Sequence, residues 1–492
     1  MPSFMTNLFS FSGRIKILHL TWLAFFISFM IWFNHAPLML MIMETVHLTA
    51  PEVNIILLLN VASTIPARII TGILVDRFGA RISYSALLGL CSLPCFAFAL
   101  ADSFEQLAWS RFFLGFIGAG FVVGIRIIGD WFPSSQVGIA EGIYGGWGNL
   151  GSAVGVVVLP GLALFFGGEQ GWRYAIAATG LLALIYSVLY YRNVEDTPPN
   201  CPYSKPKHTG AMEVASIHDL FLYIVTTVPL YAAMSLLGWR LSDSETGLLS
   251  GLWLLALNVV IWLLFFLHAY KMVDINAERL SRPLASIHHY RFKQVTVLSL
   301  AYFMAFGSKL AVVSMLPIFF FTTYSDTQPI SLIDAGLLAS TFIGMNLIAR
   351  PAGGWFSDKI GRKISLLLSM VGMALGYYGM SFISSGWPLA ATVLVTVLCS
   401  VFVQAAEGAV FAIVPLIKRD MTGQIAGMVG AYGNAGAIFF LTLLTFVTPA
   451  TFFMSLAASA LALFGIVQFL DEPKEFITEI MPDGSLVKIE LD

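Results

Sequence analysis

Residues Gly142–Gly155 read GIYGGWGNLGSAVG, and the later stretch Gly427–Phe440 reads GMVGAYGNAGAIFF. Asn149 in the first stretch and Asn434 in the second each follow a glycine inside a long uncharged run. Glycine destabilises a helix by roughly 1 kcal/mol relative to alanine, but in a bilayer small residues at helical spacing let two helices approach closely. Helix packing would explain a single copy equally well. Two copies, each with an asparagine amide at an equivalent position, favour a binding site.

The composition is that of a protein embedded in a membrane. Of the 492 residues, 58% are hydrophobic and 11% are charged, and the mean hydropathy is +0.83. The first apolar run, roughly 15–43, is too long for a signal-peptide core and lacks a small-residue cleavage site, so we expect it to remain as a spanning helix. The net charge of −2 gives no indication of a nucleic-acid partner, and the four cysteines suggest neither a metal site nor a disulfide framework. We expect no metal and no cofactor.

Apolar runs of about 20 residues, each long enough to span a bilayer as a helix, recur along the whole chain. We predict fourteen spanning helices, at about 15–43, 53–76, 82–101, 107–131, 137–166, 172–191, 220–239, 246–270, 294–323, 331–356, 364–384, 386–417, 423–447 and 450–470. The segment ARIITGILVDRFGAR at 67–81 returns as ARPAGGWFSDKIGRK at 349–363, with nearly the same separation as the two asparagines. Six-helix halves related as parallel repeats are typical of secondary transporters with a substrate site between the halves.

The prediction is therefore an all-α membrane protein made of two six-helix bundles and an inserted central helix pair. Its units are an N-terminal bundle at 1–192, a central linker with the two extra helices at 193–293, a C-terminal bundle at 294–471 and a tail at 472–492. Most of the 26 Lys and Arg residues fall in loops on one side. The positive-inside bias then places both termini, and the tail, on the cytoplasmic side of the cytoplasmic (inner) membrane. Charge alone fits twelve helices as well as fourteen, but the uncharged lengths of the central runs favour spanning.

Two charged segments between helices repeat in the two halves. Gly72-x-x-x-Asp76-Arg77-x-Gly79-x-Arg81 has its copy in Gly354-x-x-x-Asp358-Lys359-x-Gly361-Arg362-Lys363. Glycines allow a tight turn, and the charges can pair with neighbouring helix ends. Both segments resemble the loop motif of the major facilitator superfamily, which is specific for the fold and says little about the substrate. We expect a gating role for Asp76, Arg77, Arg81, Asp358, Lys359 and Arg362.

Two arginines lie deep inside apolar runs at matched positions of the halves. Arg68 and Arg350 each precede the charged loop by two to three helical turns, and an arginine at such a depth usually faces a cavity or a partner. One interpretation is a structural ion pair, for which Glu141 and Glu407 are the candidates. The other is an anion site, because the planar guanidinium forms bidentate, charge-assisted hydrogen bonds with planar oxyanions. The symmetry of the pair favours a small anionic substrate.

The segments GGWGNLG at 145–151 and GAYGNAG at 430–436 resemble the two signature motifs of the nitrate/nitrite porter family, a branch of the major facilitator superfamily. Further similar segments, which extend the resemblance over both halves, are WFNHAP at 32–37, FGSKLAVVSMLP at 306–317 and AEGAVFAIVP at 406–415. The resemblance implies that Arg68 and Arg350 clamp the anion.

The resemblance also implies that the signature helices line the substrate site. It places Gly148, Asn149, Gly433 and Asn434 beside the anion. Aromatic residues pack around the anion in this family, and Phe33 and Tyr302 are the candidates by position. For each of the two, ordinary apolar packing is the alternative interpretation.

The sequence departs from the family pattern at the central helix pair and at Lys309, which lies where a neutral or acidic residue is expected. Lys309 pairs with Glu407 or extends toward an interface. Protons are the second candidate partner, because symport needs a titratable group in the path. The candidates for coupling are His35, Glu141, Glu407 and Lys309. The alternatives are a neutral core histidine at His35, and structural ion pairs of the glutamates with Arg126 or Lys309.

The sequence as a whole predicts a nitrate and/or nitrite porter that works by alternating access in a lipid bilayer. Exchange of nitrate for nitrite needs no titratable group, so symport and exchange both stay open. The alternatives are a transporter of another small anion, such as formate or oxalate, and an anion sensor without net transport. An enzyme is not expected, because the sequence contains no nucleophile–base set, metal-ligand cluster or phosphate loop. The preference between nitrate and nitrite, the role of the central pair and the oligomeric state do not follow from the residues.

Overall fold

The chain folds into a succession of apolar α-helices joined by short connections. The computed structural model describes residues 8–208, 210–242, 250–280, 290–325, 330–472, 476–480 and 486–490. The first nine helices are α1 (Gly13–Phe33), α2 (Met39–Val46), α3 (Ala50–Ala62), α4 (Thr64–Phe78), α5 (Ala80–Ala99), α6 (Phe104–Leu114), α7 (Gly120–Trp131), α8 (Ser134–Phe166) and α9 (Gly171–Asn193). The central pair is α10 (Ile217–Leu241) and α11 (Gly251–Leu280). The last seven helices are α12 (Lys293–Tyr324), α13 (Leu332–Gly344), α14 (Asn346–Ile360), α15 (Arg362–Met380), α16 (Leu389–Phe411), α17 (Thr422–Leu444) and α18 (Pro449–Val467).

Thirteen helical stretches of the described chain are long and apolar enough to cross a membrane, and both central helices are among them. The fourteenth predicted run, at 331–356, is helical as α13 and α14 but is not one of the thirteen. Helix α14 carries Asn346 and Arg350 within its length and Asp358 and Lys359 at its C-terminal end. The division of the chain into units at 192, 293 and 471 stays a prediction.

Several predicted runs are interrupted where the backbone changes to a 3-10 turn. In the run at 15–43, α1 ends at Phe33 and the 3-10 turn Ala36–Leu38 leads into α2. Pro37 lies in this turn and lacks the backbone N–H that a continuous helix would use there. The run at 107–131 contains the 3-10 turn Gly115–Ala119 between α6 and α7. Such turns free backbone carbonyls to accept hydrogen bonds from elsewhere. Two further 3-10 turns, Val414–Leu416 and Arg419–Met421, separate α16 from α17.

The two glycine-rich signature helices each pack across to the other half of the chain. Helix α8 packs on α1 and on α14, whereas α17 packs on α12 and on α4. Backbone contacts become close because glycines meet, Gly72 with Gly423 and Gly138 with Gly354. Each signature helix therefore touches the helix that carries the arginine of the opposite half.

The central pair lies beside the second signature helix. Helix α10 packs on α11, α17 and α12. The Tyr432 hydroxyl of α17 donates to the Thr226 carbonyl of α10, and the hydroxyls of Thr226 and Thr296 lie 2.9 Å apart. The inserted helices are thus attached mainly to helices of the C-terminal half.

The C-terminal segment adds a short antiparallel hairpin outside the helices. Strand β1 (Phe476–Ile480) pairs with β2 (Leu486–Glu490), with Phe476 opposite Glu490 and Ile480 opposite Leu486. No strand is expected from the sequence in this tail. The hairpin leaves the all-α class of the membrane part unchanged.

Candidate functional site

Arg68 lies on α4 with 1% of its surface exposed and binds only backbone carbonyls within the described chain. Its Nη1 donates to the Gly430 carbonyl of α17 (2.5 Å), and its Nε donates to the Gly118 carbonyl (3.4 Å). Gly118 belongs to the 3-10 turn that interrupts the run at 107–131, which explains why this carbonyl is free to accept. The acceptors are neutral, so the positive charge of Arg68 has no carboxylate partner among the described residues.

Arg350 lies on α14, is equally buried and differs from Arg68 in its partners. Its Nη1 lies 2.8 Å from Oε2 of Glu407 on α16. Its Nε and Nη2 are buried and have no hydrogen-bond partner among the described residues. The structural ion pair considered from the sequence is therefore present for Arg350 and absent for Arg68 in the described chain. Even so, two guanidinium nitrogens of Arg350 stay available to a ligand.

The two arginines, which belong to different halves, meet at one aromatic ring. The Cζ of Arg68 lies 5.8 Å from the centroid of the Phe121 ring, and the Cζ of Arg350 lies 5.1 Å from the same centroid. The structure thus brings together the pair that the sequence predicts to converge.

A cluster of aromatic rings surrounds this meeting point. Tyr302 stacks on Phe306 at 5.2 Å and meets Phe411 edge-on at 4.7 Å. Phe121 meets Phe411 edge-on at 4.6 Å, and the Arg68 Cζ lies 5.3 Å from the Phe306 centroid. Tyr302 is the member of this cluster that could be predicted from the sequence, since no spacing or composition distinguishes the three phenylalanines from their apolar neighbours.

Phe33 lies elsewhere. Its ring packs on Phe29 (5.7 Å) and Trp32 (4.9 Å) at the end of α1, and none of its described ring contacts reaches Tyr302. Helix α1 instead contributes Phe25, whose ring lies 5.3 Å from that of Phe121. The contacts of Phe33 match the apolar-packing alternative.

Glycines of the signature helices make room for the arginines and the aromatic cluster. A Cβ at Gly145 would lie 2.5 Å from the Arg350 Cζ, and a Cβ at Gly430 would lie 3.2 Å from the Arg68 Cδ. A Cβ at Gly433 would lie 2.6 Å from the Tyr302 ring. Gly148 has the same relation to the Phe25 ring. The glycines of the repeated stretches are thus required where the site is most crowded.

The two signature asparagines are buried and unsatisfied. Asn149 is 4% exposed and Asn434 is fully buried, and neither amide oxygen nor amide nitrogen of either residue has a hydrogen-bond partner in the described part of the chain. A buried polar group without a partner costs roughly 1–3 kcal/mol. Buried amides of this kind are able to bind a ligand or a water molecule.

The four coupling candidates occupy different environments. Lys309 Nζ lies 2.6 Å from Oε1 of Glu407, so this pair forms as the sequence suggested. Glu141 is buried, and both of its carboxylate oxygens lack a partner within the described residues. Arg126, its other suggested partner, pairs instead with Asp76 and Asp130.

His35 lies away from the arginine pair, at the broken end of α1. Both ring nitrogens are buried without a hydrogen-bond partner in the described chain. Arg111 donates to the side chain of the preceding residue, Asn34 (3.0 Å), and to the Trp32 carbonyl. A guanidinium at a helix C-terminus complements the helix dipole, so Arg111 has a structural explanation.

The first loop motif links the two halves where α4 ends and α17 begins. We call this end of the molecule, where both charged loop motifs lie, the basic end. Asp76 of α4 accepts hydrogen bonds from the backbone N–H groups of Gly423 (2.8 Å) and Gln424 (2.8 Å) at the start of α17. The Arg126 guanidinium lies 3.5 Å from the same carboxylate. A carboxylate at a helix N-terminus is stabilised by the exposed N–H groups and by the dipole.

The second loop motif makes the same contact with the roles of the halves exchanged. Asp358 of α14 accepts hydrogen bonds from the backbone N–H groups of Gly138 (2.9 Å) and Ile139 (2.8 Å) in the first turns of α8. Arg362 pairs with Asp358 at 2.5 Å. The two aspartates thus form a symmetric pair of clasps between the halves.

The remaining members of the predicted gating loops lie at the surface of the basic end. Arg77 and Lys359 are exposed, and the Arg77 guanidinium packs on the Phe78 ring at 5.2 Å. Arg81 donates from its backbone N–H to Asp196 of the linker (2.7 Å), and partial burial raises the pKa of that carboxyl. Arg81 thus contacts the segment that follows α9, and no described contact joins Arg77, Arg81 or Lys359 to the arginine pair.

Known proteins resemble this chain along most of its length. A family model described as Major Facilitator Superfamily matches residues 21–287 and 298–479. A nitrate/nitrite transporter of Picosynechococcus is 44% identical over 90% of this chain and 87% of the relative, and one of Nostoc punctiforme is 42% identical over 96% and 95%. Among solved structures, the human organic anion transporter MFSD10 aligns with a TM-score of 0.58 at 12% identity, covering 93% of this chain and all of that one. The proton:xylose symporter XylE, as a double tryptophan mutant, aligns with a TM-score of 0.61 at 14% identity, covering 93% and 97%. At these identities the solved structures are similar in fold alone.

Proposed function

Since this chain belongs to the major facilitator superfamily and, within it, to the nitrate/nitrite porter family, we propose that it carries nitrate and/or nitrite across the cytoplasmic membrane by alternating access. It is a multi-pass membrane protein and a transporter, not an enzyme. Its basic end is the cytoplasmic end in this proposal, and both termini are cytoplasmic.

The observation that carries the proposal is the pair of buried guanidiniums that meet at Phe121. They come from different halves, and the Nε and Nη2 of Arg350 have no hydrogen-bond partner in the described chain. A small planar oxyanion is an acceptor at every oxygen, so it suits the planar fork of arginine, which donates two parallel hydrogen bonds. The anion would bridge Arg68 and Arg350 and thereby link the halves.

The other residues of the site would compensate the anion for the hydration that it loses on binding. The unsatisfied amides of Asn149 and Asn434 would donate to the remaining oxygens. The flat rings of Tyr302 and Phe121 would pack on the face of the anion, and their spacing limits its size. A small planar anion fits such a site better than a bulky organic acid.

Alternating access would proceed by release of the clasps at the basic end. Asp76 and Asp358 hold the starts of α17 and α8 in the arrangement described above, which closes that end. Each signature helix carries a clasp at its start and a glycine against an arginine further along, Gly430 on α17 and Gly145 on α8. Movement of these helices would therefore change the clasp and the anion site together.

The proposed clamp is tested by Arg68→Lys and Arg350→Lys in purified protein reconstituted into liposomes. Lysine keeps the charge and loses the planar fork, so each variant should lose nearly all nitrate uptake while remaining inserted and folded. Arg111→Lys is the matched control, because Arg111 is just as buried but donates to the end of α1. We expect it to lower the yield of folded protein and to leave the KM for nitrate unchanged. Normal uptake by either clamp variant would refute the assignment.

Coupling is tested in the same liposomes by imposing a pH gradient with and without internal nitrite. Acceleration of nitrate uptake by the gradient alone indicates symport, and a strict requirement for internal anion indicates exchange. One proton per nitrate makes uptake electroneutral. Because an inside-negative potential is worth about 2.3 kcal/mol per charge per 100 mV, uptake driven by that potential requires more than one proton per nitrate. Glu141→Gln separates the two schemes, because neither oxygen of Glu141 is held in a described ion pair and its protonation breaks none. The variant should lose the response to the gradient and keep exchange.

A further inference from the structure

Glu407 on α16 is shared by two buried cations of the site. Its Oε2 lies 2.8 Å from Nη1 of Arg350, and Lys309 Nζ lies 2.6 Å from Oε1 and 2.8 Å from Oε2. Glu407 is fully buried, Arg350 is 1% exposed and Lys309 is 6% exposed. The Lys309 ammonium also lies 4.9 Å from the centroid of Phe306, the same ring that the Arg68 guanidinium contacts.

The two arginines of the site are consequently not equivalent. Arg68 donates to the carbonyls of Gly430 and Gly118, which carry no charge. Arg350 donates to a carboxylate, whose two oxygens are spaced much like two oxygens of a planar oxyanion. Glu407 therefore occupies, on Arg350, the kind of contact that a transported anion would make.

We propose that Glu407 is an internal counter-anion of Arg350 that the transported anion displaces, and that Lys309 is the positioning residue that keeps Glu407 after the displacement. This inference rests on the proposed transport of a small planar anion at the arginine pair. It concerns the affinity and the release of that anion, which the clamp by itself does not determine.

The displacement is physically reasonable because Lys309 already contacts both oxygens of Glu407. A buried carboxylate that loses one cation and keeps none is strongly destabilised, so the anion could not take Arg350 from Glu407 alone. With Lys309 in place, the carboxylate stays paired in the empty and in the loaded site. An anion that binds Nε and Nη2 of Arg350 draws the guanidinium away from Glu407. When the anion leaves, the Nη1 contact with Glu407 forms again, which favours release.

The two residues should therefore affect the affinity for nitrate in opposite directions. In Lys309→Gln, Glu407 depends on Arg350 alone and competes more strongly, so we expect the KM for nitrate to rise at least tenfold. In Glu407→Gln, the competitor is neutral, so the KM should fall severalfold and maximal turnover should fall as well. The double variant Lys309→Gln/Glu407→Gln removes one charge of each sign, and its KM should lie below that of the wild type.

The measurement is nitrate uptake into proteoliposomes at equal amounts of inserted protein, with KM and maximal rate reported separately. Loss of a merely structural ion pair lowers the amount of folded protein and does not move KM in opposite directions. Lys293→Gln is the matched control, since Lys293 lies on the same helix and pairs with the exposed Asp471 at 2.9 Å. Its KM should equal that of the wild type.

Four outcomes are informative. A raised KM in Lys309→Gln together with a lowered KM in the double variant supports the inference. If Lys309→Gln does not insert, the double variant decides alone, and a KM equal to or above the wild-type value overturns the inference. If the wild type carries nitrate and neither variant changes KM, the internal counter-anion is refuted and the transport function stands. A wild-type protein that carries no nitrate would overturn the proposed function itself.

Discussion

Gly145→Ala adds a single methyl group to the first signature helix, where it would meet the Arg350 guanidinium. An ideal Cβ at Gly145 lies 2.5 Å from the Arg350 Cζ and 2.7 Å from its Nη2. Ordinary contacts between such atoms are about 3.5–4.0 Å, so the guanidinium must move by about 1 Å. It is the far end of a long side chain, but its ion pair with Glu407 limits where it can go.

The size of the effect on stability follows from two opposing contributions, and the size of the effect on the KM for nitrate follows from one. Overpacking costs about 1–3 kcal/mol, and alanine in place of a helical glycine returns roughly 1 kcal/mol. The net loss of stability is therefore modest, and the variant should fold. A displaced guanidinium that loses one charge-assisted hydrogen bond to the anion forfeits about 1.5–3 kcal/mol of binding. At about 1.4 kcal/mol per factor of ten, the KM for nitrate should rise about 10- to 100-fold.

The assay is nitrate uptake into proteoliposomes, with thermal unfolding in detergent as the measure of stability. Gly161→Ala on the same helix is the matched control, because no described atom lies within 4 Å of a Cβ at Gly161. It should keep the wild-type KM. Gly430→Ala, whose Cβ would lie 3.2 Å from the Arg68 Cδ, should give an intermediate increase. A wild-type KM in Gly145→Ala, or an equal increase in the control, would refute the reasoning.

Three further predictions concern the clasps, the topology and the signature amide. Asp76→Asn and Asp358→Asn each weaken two hydrogen bonds to the start of a helix. Each should therefore shift the conformational equilibrium roughly tenfold toward the state that is open at the basic end. The measurement is the rate at which cysteines introduced along the inner faces of the bundles are labelled. Equal labelling with and without these changes would contradict the gating role. A cysteine at Ser242 should react with an impermeant thiol reagent applied outside the cell, whereas the exposed native Cys201 should react only after permeabilisation. The opposite pattern would show that α10 and α11 do not both cross the membrane. Asn149→Ala should leave the unfolding temperature unchanged or higher, because the amide has no partner in the described protein, and should raise the KM for nitrate about fivefold or more, as measured by uptake and calorimetric unfolding.

Features that repeat in the two halves could be predicted from the sequence. The arginines stood out because a charge inside an apolar run is rare and each has a counterpart in the other half, and both do meet at Phe121. The Gly-Asn stretches stood out for the same reason. The major facilitator fold and the family are confirmed by the similarity over most of the chain.

Contacts between particular residues of different helices could not be predicted from the sequence. Phe33 and Phe121 are both apolar residues in long runs, and only the break of α1 at Phe33 and the 3-10 turn before α7 determine their neighbours. The sequence left Arg68, Arg350, Lys309 and Arg126 open as partners of Glu407, which contacts Arg350 and Lys309 at once. A helical period gives the face of one helix but not its register against another, so a shared ion pair of this kind requires the side-chain positions.

The clasps and the anion site differ in symmetry, and the difference has a physical consequence. Asp76 and Asp358 make equivalent bonds, but the site is asymmetric: Arg68, Arg350 and Lys309 bring three positive charges, and Glu407 brings one negative charge. With Glu141 ionised, the empty site carries one net positive charge and a bound nitrate makes it neutral, which favours movement of the loaded carrier alone, as exchange requires. With Glu141 protonated, the loaded site keeps a positive charge, and its movement is driven inward by an inside-negative potential. The protonation of Glu141 is therefore the point at which exchange and symport would diverge in this protein.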